Sequence, residues 1–301
     1  MMNKNSWFKV LSALLVLVSI TWSCNNTNKT QKSDTILTGK LSIAVDESLQ
    51  PIVEDQQAVF ENTYNAKLQL LPLSENEILQ SLVDKKANTA VMARALTAQE
   101  RKYFQSKTIY PQQTPIAIDA VTLIRNKKEK DTLIALEDLK LFFEGDRTKV
   151  KGLVFDNLNS STVSFLLKKF NLQKLPEKDI YSFKNNNEVI KYVSENSNMI
   201  GIIGLNWLVQ PSSEVEQYID KISVLSVKDF AKTQYIYPSQ ENLVTKSYPL
   251  ARDLYFINCQ GYEGLGIGFA SFIAGERGQR IILKSGLAPV KLPSRKIVVT
   301  H

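Results

Sequence analysis

The chain has 301 residues, 37 Lys and Arg against 30 Asp and Glu, and a formal net charge of +7 with 44% hydrophobic residues. That apolar content suits folded lobes rather than a disordered chain, and the basic surplus is too diffuse for nucleic acid while still attracting small anions. Two cysteines and a single histidine, His301, exclude a disulfide framework and argue against a zinc site.

Residues 1–23 carry Lys4 and Lys9, the apolar run Val10 to Ile20, and then Thr21-Trp22-Ser23 before Cys24. Basic, apolar and small-residue parts in that order predict a secretory signal peptide, with an apolar core short for a membrane span. Ser23 before Cys24, followed by a polar tract, resembles a bacterial lipoprotein cleavage site, although Trp22 is bulkier than usual there. Cys24 is therefore the expected lipidated first residue, and 24–38 the expected flexible, lipid-anchored tether. Loss of Lys4 and Lys9 leaves 35 basic against 30 acidic residues, a net charge near +5. Roughly 260 residues follow, enough for two modest lobes.

Lys40 to Val45 predicts a strand, and Pro51 to Tyr64 a helix with Ile52, Val53, Val59 and Phe60 inward. A strand at Lys67 to Leu71, a helix at Glu75 to Lys85, a buried strand at Thr89 to Ala93 and a helix from Thr97 come next. Ile116 to Arg125 is a long apolar strand suited to crossing between lobes. The alternation resumes with a helix from Leu136, the strand Gly152 to Phe155 and the helix Ser161 to Phe170. A helix from Asn187, a strand at Met199 to Ile203, a strand at Leu254 to Asn258 and helices within Gly261 to Gly275 and Gly278 to Ser285 complete the order. Such alternation predicts α/β architecture built on parallel β-α-β units.

Three strand-to-helix turns concentrate polar donors. In Asp46-Glu47-Ser48-Leu49-Gln50-Pro51, Ser48 is placed to cap a helix whose first turn holds Pro51. Arg94 stands at the carboxyl end of a strand in Met92-Ala93-Arg94-Ala95. On the residues alone it reads as a surface group or an ion-pair partner as readily as a ligand contact. The third turn, Asp156-Asn157-Leu158-Asn159-Ser160-Ser161-Thr162, opens an amphipathic helix with Asn159 and Ser160 as N-cap candidates. Free first-turn amides and the helix dipole suit an anion there, while a capped helix without ligand is the plainer account. In open α/β sheets ligands gather outside the carboxyl ends of strands, so these turns are candidates to converge.

The order of these turns resembles that of the phosphate-type substrate-binding proteins of bacterial ABC transporters, the PstS-like family. The phrases that carry the resemblance include Arg94-Ala95-Leu96-Thr97, Ile116-Ala117-Ile118-Asp119-Ala120-Val121 and Ile200-Gly201-Ile202-Ile203-Gly204. Tyr248-Pro249-Leu250-Ala251-Arg252 and Phe269-Ala270-Ser271-Phe272-Ile273 continue it, and the likeness spans nearly everything after the tether. It implies a two-lobed periplasmic-binding-protein type II fold, each lobe a mixed sheet flanked by helices, with two crossing strands as hinge. Residues 39–115 plus 256–301 would form lobe one and 116–255 lobe two. Function by resemblance is capture of phosphate or a similar tetrahedral oxyanion, on the periplasmic side of the cell envelope, for delivery to an ABC permease. Carried over, Ser48 and the Leu49 amide act from the first turn, Arg94 from the second, and Asn159, Ser160, Ser161 and Thr162 from the third.

Two departures stand out. Members of that family have Ser-Gly-Thr at the third turn, where Ser161 stands here as the middle residue. They also place Asp on the second turn and Arg four residues ahead of the serine. Here those positions hold Arg94 and Asp156, so the expected arrangement is an exchanged pair: Arg94 on the anion, oriented by Asp156 or Asp119. A carboxylate accepting the proton of monohydrogen phosphate would reject sulfate, with Glu47, Asp46 and Asp119 as candidates.

An enzyme is the rival from another class. Cys259 lacks a histidine to activate it, Asp46 and Glu47 are adjacent on one turn rather than facing, and no cofactor motif is present. A lipid-anchored sensor or scaffold using the same fold without transport is the alternative within the class. Trp207 is read as a core aromatic, with a place in the cleft as the other possibility.

Overall fold

A computed structural model describes residues 34–293. The signal peptide, Cys24, most of the tether and His301 lie outside the described residues, so nothing structural attaches to them.

Strand β1 (Gly39–Asp46) runs parallel to both β2 (Ala66–Leu73) and β3 (Thr89–Met92). Helices α1 (Gln50–Thr63), α2 (Glu75–Val83) and α3 (Ala98–Ser106) connect and follow them. Ser74 and Thr97 head α2 and α3 in capping boxes, each with a glutamate three residues on, so both helix starts were written in the sequence. Helix α1 buries Ile52, Val53 and Phe60 but leaves Val59 exposed, against the expectation for it. At 100° per residue Val59 falls off the stripe that Ile52, Val53 and Phe60 define.

The 15-residue β4 (Gln112–Asn126) is the spine of the molecule. Its first part pairs antiparallel with β12 (Ala251–Asn258), up to Ala120 opposite Ala251. From Val121 onward β4 pairs instead with β8 (Met199–Gly204). The change of partners thus falls a few residues beyond Pro115, where the sequence put the limit of lobe one. Between these come β5 (Leu133–Ala135), α4 (Leu136–Phe143), β6 (Gly152–Phe155), α5 (Ser161–Phe170), β7 (Ile180–Ser182) and α6 (Asn186–Glu195). Strand β6 is parallel to β7 and β8. Short pieces follow: α7 (Asn206–Val209), α8 (Glu216–Ile219), β9 (Ile222–Val224), β10 (Ser226–Lys228), β11 (Tyr235–Ile236) and α9 (Gln240–Val244). Helices α10 (Leu265–Ala274) and α11 (Glu276–Lys284) and strand β13 (Ala288–Pro289) close the described chain.

The main sheet has the order β2-β1-β3-β12-β4-β8-β6-β7, with β9 and β13 also on β4; β11-β10-β5 forms a small second sheet. Two lobes result, mixed in strand direction as expected, joined through β4 and β12. Each face carries helices over buried apolar rows: Ile78, Leu82, Met92 and Phe104 in one lobe, Ile124, Val189, Val193 and Ile203 in the other. Among the described residues no helix is long and apolar enough to cross a membrane.

The tether was expected to stay loose to residue 38, yet the chain is held from Asp34. That buried carboxylate accepts the Leu265 amide at 2.7 Å and the Tyr262 hydroxyl at 2.9 Å, capping α10 from far away in sequence. Gly268 permits the approach, since a Cβ there would stand 1.6 Å from the Ile36 carbonyl oxygen. Asp34→Ala strips α10 of its cap and leaves a buried amide unpaired, so it should cost about 2 kcal/mol in urea unfolding. An unchanged midpoint would show that this contact does not hold the segment in solution.

Candidate functional site

Arg252 on β12 stands directly opposite Asp119 on β4 in the antiparallel register. Both are buried, with side chains 2% and 0% exposed, and they pair at 2.8 and 2.9 Å. The other arms of the guanidinium reach across the molecule. Nη2 donates to Ser48 Oγ and Nη1 to Ser161 Oγ, each at 3.0 Å, and these two hydroxyls lie 3.2 Å apart. One cation therefore meets the first and third turns at a single point, where the two lobes touch.

Local chemistry explains each position. Ser48 does not cap α1 as expected. It sits inside a 3-10 turn, Glu47–Leu49, and both its amide and hydroxyl donate to Asp46 Oδ1, at 3.0 and 2.7 Å. Asp46 is the better cap because its carboxylate accepts two donors at once. Leu49 is fully buried behind it. At the third turn Ser160 is the N-cap of α5, accepting the Val163 amide at 3.4 Å. Asn159 is exposed, one step outside the helix, and its amide donates to Asn157 Oδ1 at 2.9 Å. The first-turn amides of Ser161 and Thr162 have no partner within the helix. Thr162 Oγ1, fully buried, also has no hydrogen-bond partner.

Arg94 has other company. Its Nε donates to Glu75 Oε1 at 2.8 Å, and Nη1 and Nη2 form a fork with Glu100 at 2.8 Å each. The exchanged pair is thereby corrected: neither Asp119 nor Asp156 orients Arg94. Two carboxylates consume its donors and more than cancel its charge. Asp156 instead fixes the third turn, accepting the Asn157 amide at 2.8 Å and Asn186 Nδ2 at 3.0 Å. Glu47 accepts from Asn157 Nδ2 at 3.2 Å, another bond between the first and third turns.

Trp207 had a place in the cleft only as its second reading, and Asn206 was not singled out. Trp207, half-buried, donates its indole N–H to the Ser48 carbonyl at 2.9 Å. Asn206 is buried with neither amide atom partnered, and a Cβ on Gly204 would meet Asn206 Oδ1 at 2.8 Å and Arg252 Nη2 at 3.6 Å. Asp46 Oδ2 and Asp119 Oδ1 are likewise buried without partners. Free donors and free acceptors thus share one small region.

Its electrostatics are unusual for an anion site. Asp46, Asp119, Asp156 and Glu47 gather around a single guanidinium. Burial pushes the Asp119 carboxyl above its ordinary range despite Arg252, and Asp46 nearby adds to the rise. Burial also raises Asp156 against the bonds from Asn157, Ser160 and Asn186, and raises half-buried Glu47. Protons are therefore easily taken up here.

Outward from Arg252 and Ser161 opens a cleft of about 890 Å³, with Ala93 and Arg94 on one wall, Phe165 and Lys168 on the other, and Tyr255 on β12. Among the described residues no group of three His, Cys, Asp or Glu is placed to hold a metal ion. Burial pushes the Cys259 thiol up to about 12, far from a nucleophile's range.

Two lobes are thus joined by crossing strands, with polar groups from both meeting between them. The chain belongs to the PBP superfamily, whose domain model matches residues 27–277. A Clostridium perfringens structure with bound phosphate, described as a phosphate ABC transporter substrate-binding protein, is similar at 18% identity and a TM-score of 0.69. It covers 84% of this chain and 100% of that one. An ABC-type phosphate transport receptor from Vibrio cholerae gives 14% and 0.63, over 83% and 100% of the two chains. PstS from Borrelia burgdorferi gives 22% and 0.54, over 84% and 99%. Such identities show the shared fold. No curated protein matches the chain.

The Arg252–Asp119 pair is testable by itself. Arg252→Met leaves Asp119 buried without its counter-charge and should cost about 3–5 kcal/mol at pH 7. A carboxyl raised in the folded state is stabilising in its neutral form, so lost stability should return as pH falls through that raised value towards the unfolded one, about 3.9. Denaturant midpoints at pH 7 and 5 check this; a pH-independent cost would refute the assignment.

Proposed function

We propose that this protein is an extracytoplasmic, lipid-anchored solute-binding protein. It captures phosphate or a similar tetrahedral oxyanion between 39–115 plus 256–301 and 116–255, and delivers it to an ABC permease. Cys24 is the lipidated residue, and the tether that follows it lies on the periplasmic side of the envelope. The observation that carries the reading is Arg252, buried at the N-terminus of α5 and reaching one hydroxyl from each lobe.

Its donors suit a tetrahedral anion. The amides of Ser161 and Thr162 at the start of α5, the hydroxyls of Ser161 and Thr162, and the guanidinium of Arg252 are the donors in this reading, with the Ser48 hydroxyl held by Asp46 and Arg252. Hydrogen bonds to a charged group contribute about 1.5–3 kcal/mol each, and the dipole of a ten-residue helix adds about 0.3–1. Ser160, Asp156 and Asn159 shape the third turn, and Asp46 shapes the first beside Leu49. Arg94 and Glu47 stand at the edges. Arg252 supplies the charge that Arg94 was expected to bring, and a protein of similar fold was solved with bound phosphate.

The carboxyls set selectivity. An ion that carries a proton can donate to Asp119 Oδ1 or Asp46 Oδ2, whereas sulfate brings lone pairs against lone pairs. Once Asp119 takes up a proton the same oxygen donates instead, and sulfate is tolerated. Phosphate and arsenate should therefore raise the melting temperature at pH 7.5 while sulfate does not, with the gap narrowing at pH 5. At a hundred times its dissociation constant the favoured ion adds about 2.7 kcal/mol. Thr162→Val should weaken that ion about tenfold by calorimetry, the worth of one charged hydrogen bond. A flat response to every oxyanion would sink the reading and favour the sensor or scaffold role.

A further inference from the structure

The cleft that opens from Arg252 and Ser161 is far larger than an ion of a few atoms needs. About 890 Å³ falls within the range of pockets that bury organic ligands, roughly 300–1,000 Å³. A parted pair of lobes would account for such space, but these lobes already meet. Ser48 and Ser161 are 3.2 Å apart, Glu47 holds Asn157 at 3.2 Å, and Trp207 donates to the Ser48 carbonyl at 2.9 Å. None of Ser48, Glu47, Asn157 and Trp207 lines the cleft, so those contacts and the space are separate. Further closure is blocked where the lobes touch, so the opening belongs to the shape of the contact.

Its lining joins charge and apolar surface: Arg252, Ser161 and Lys168 share it with the methyl groups of Ala93 and Ala251 and the rings of Phe165 and Tyr255. A bare oxyanion gains nothing from apolar walls, which lose water only to an organic group. Glu75 and Asp253 also line it, and their carboxylates, bonded to Arg94 and Lys246, keep further lone pairs for hydroxyls.

We propose that the physiological ligand is a phosphate monoester of a small polyol, its phosphoryl group at Arg252 and α5, its carbon skeleton along Phe165 and Tyr255. This rests on the oxyanion reading above and narrows it. In its monoanionic form a monoester keeps three terminal oxygens, one of them a P–OH, so it meets the same donors and the same carboxyl oxygens as monohydrogen phosphate, while its fourth oxygen leads into the cleft.

Calorimetry on the full chain separates the possibilities, with inorganic phosphate, glycerol 3-phosphate, glucose 6-phosphate, glycerol and glucose as titrants. At least one monoester should bind ten times more tightly than inorganic phosphate, and neither free polyol should bind. Phe165→Ser should pull the ester-to-phosphate affinity ratio down towards one. Monoesters that bind equally to phosphate, or more weakly, overturn the inference and leave the oxyanion reading standing. Binding of none of the phosphate compounds removes both.

Discussion

Everything at the centre of this molecule is arranged around one buried cation. Arg252 lies on a strand that both lobes share, and its register partner across the ladder is Asp119 on the other shared strand. A buried ion pair is a weak source of stability, because desolvation consumes most of its Coulombic gain. Its value here is positional. Ordered by Asp119, the planar guanidinium has its remaining donors fixed in direction, and those donors find Ser48 from one lobe and Ser161 from the other. A lysine could neutralise Asp119 but could not hold two hydroxyls in a set geometry.

The surrounding carboxyls turn that geometry into a proton-sensitive one. With Asp46, Asp119, Asp156 and Glu47 all near a single positive group, a fully ionised cluster repels both itself and an incoming anion. Burial pushes three of these groups upward, so a proton shared between carboxyl and ligand removes that repulsion at small cost. Unpartnered Asp119 Oδ1 is where such a proton would be held. Attraction of anions by the whole chain's positive charge and their discrimination at the site are thus separate matters, set by different residues.

Much of the fold was legible because hydrophobic period, caps and turns agree. Thr97 and Ser160 begin their helices where N-cap chemistry puts them, and β6 and α5 have the predicted limits. The site was half legible. Ser48, Ser161 and Asp119 were named, but Arg252 entered only as the end of the phrase Tyr248-Pro249-Leu250-Ala251-Arg252, and Arg94 took its place. A signal was present: along β12 the buried positions alternate as Arg252, Leu254 and Phe256, which places an arginine on the apolar face. Asp119 interrupts an equally apolar strand, and two opposite charges inside two core strands imply each other. Arg94 misled because position at a strand's end says where a side chain starts, not which carboxylates capture it. Glu75 and Glu100 come from two different helix starts, and only tertiary packing brings both to one guanidinium.

Asymmetry of the lobe contact carries the last step. On the Trp207 side the lobes are bonded through Ser48, Glu47 and Asn157, and Arg252 is sealed from solvent. On the Lys168 side the same guanidinium borders an open cleft. At the rim of that cleft Arg94 is held by its own carboxylates and so offers shape without free charge. Tyr248 donates to the Val121 carbonyl at 3.0 Å, tying the segment before β12 to β4 where that strand changes partners, and so helps to keep Arg252 in register with Asp119.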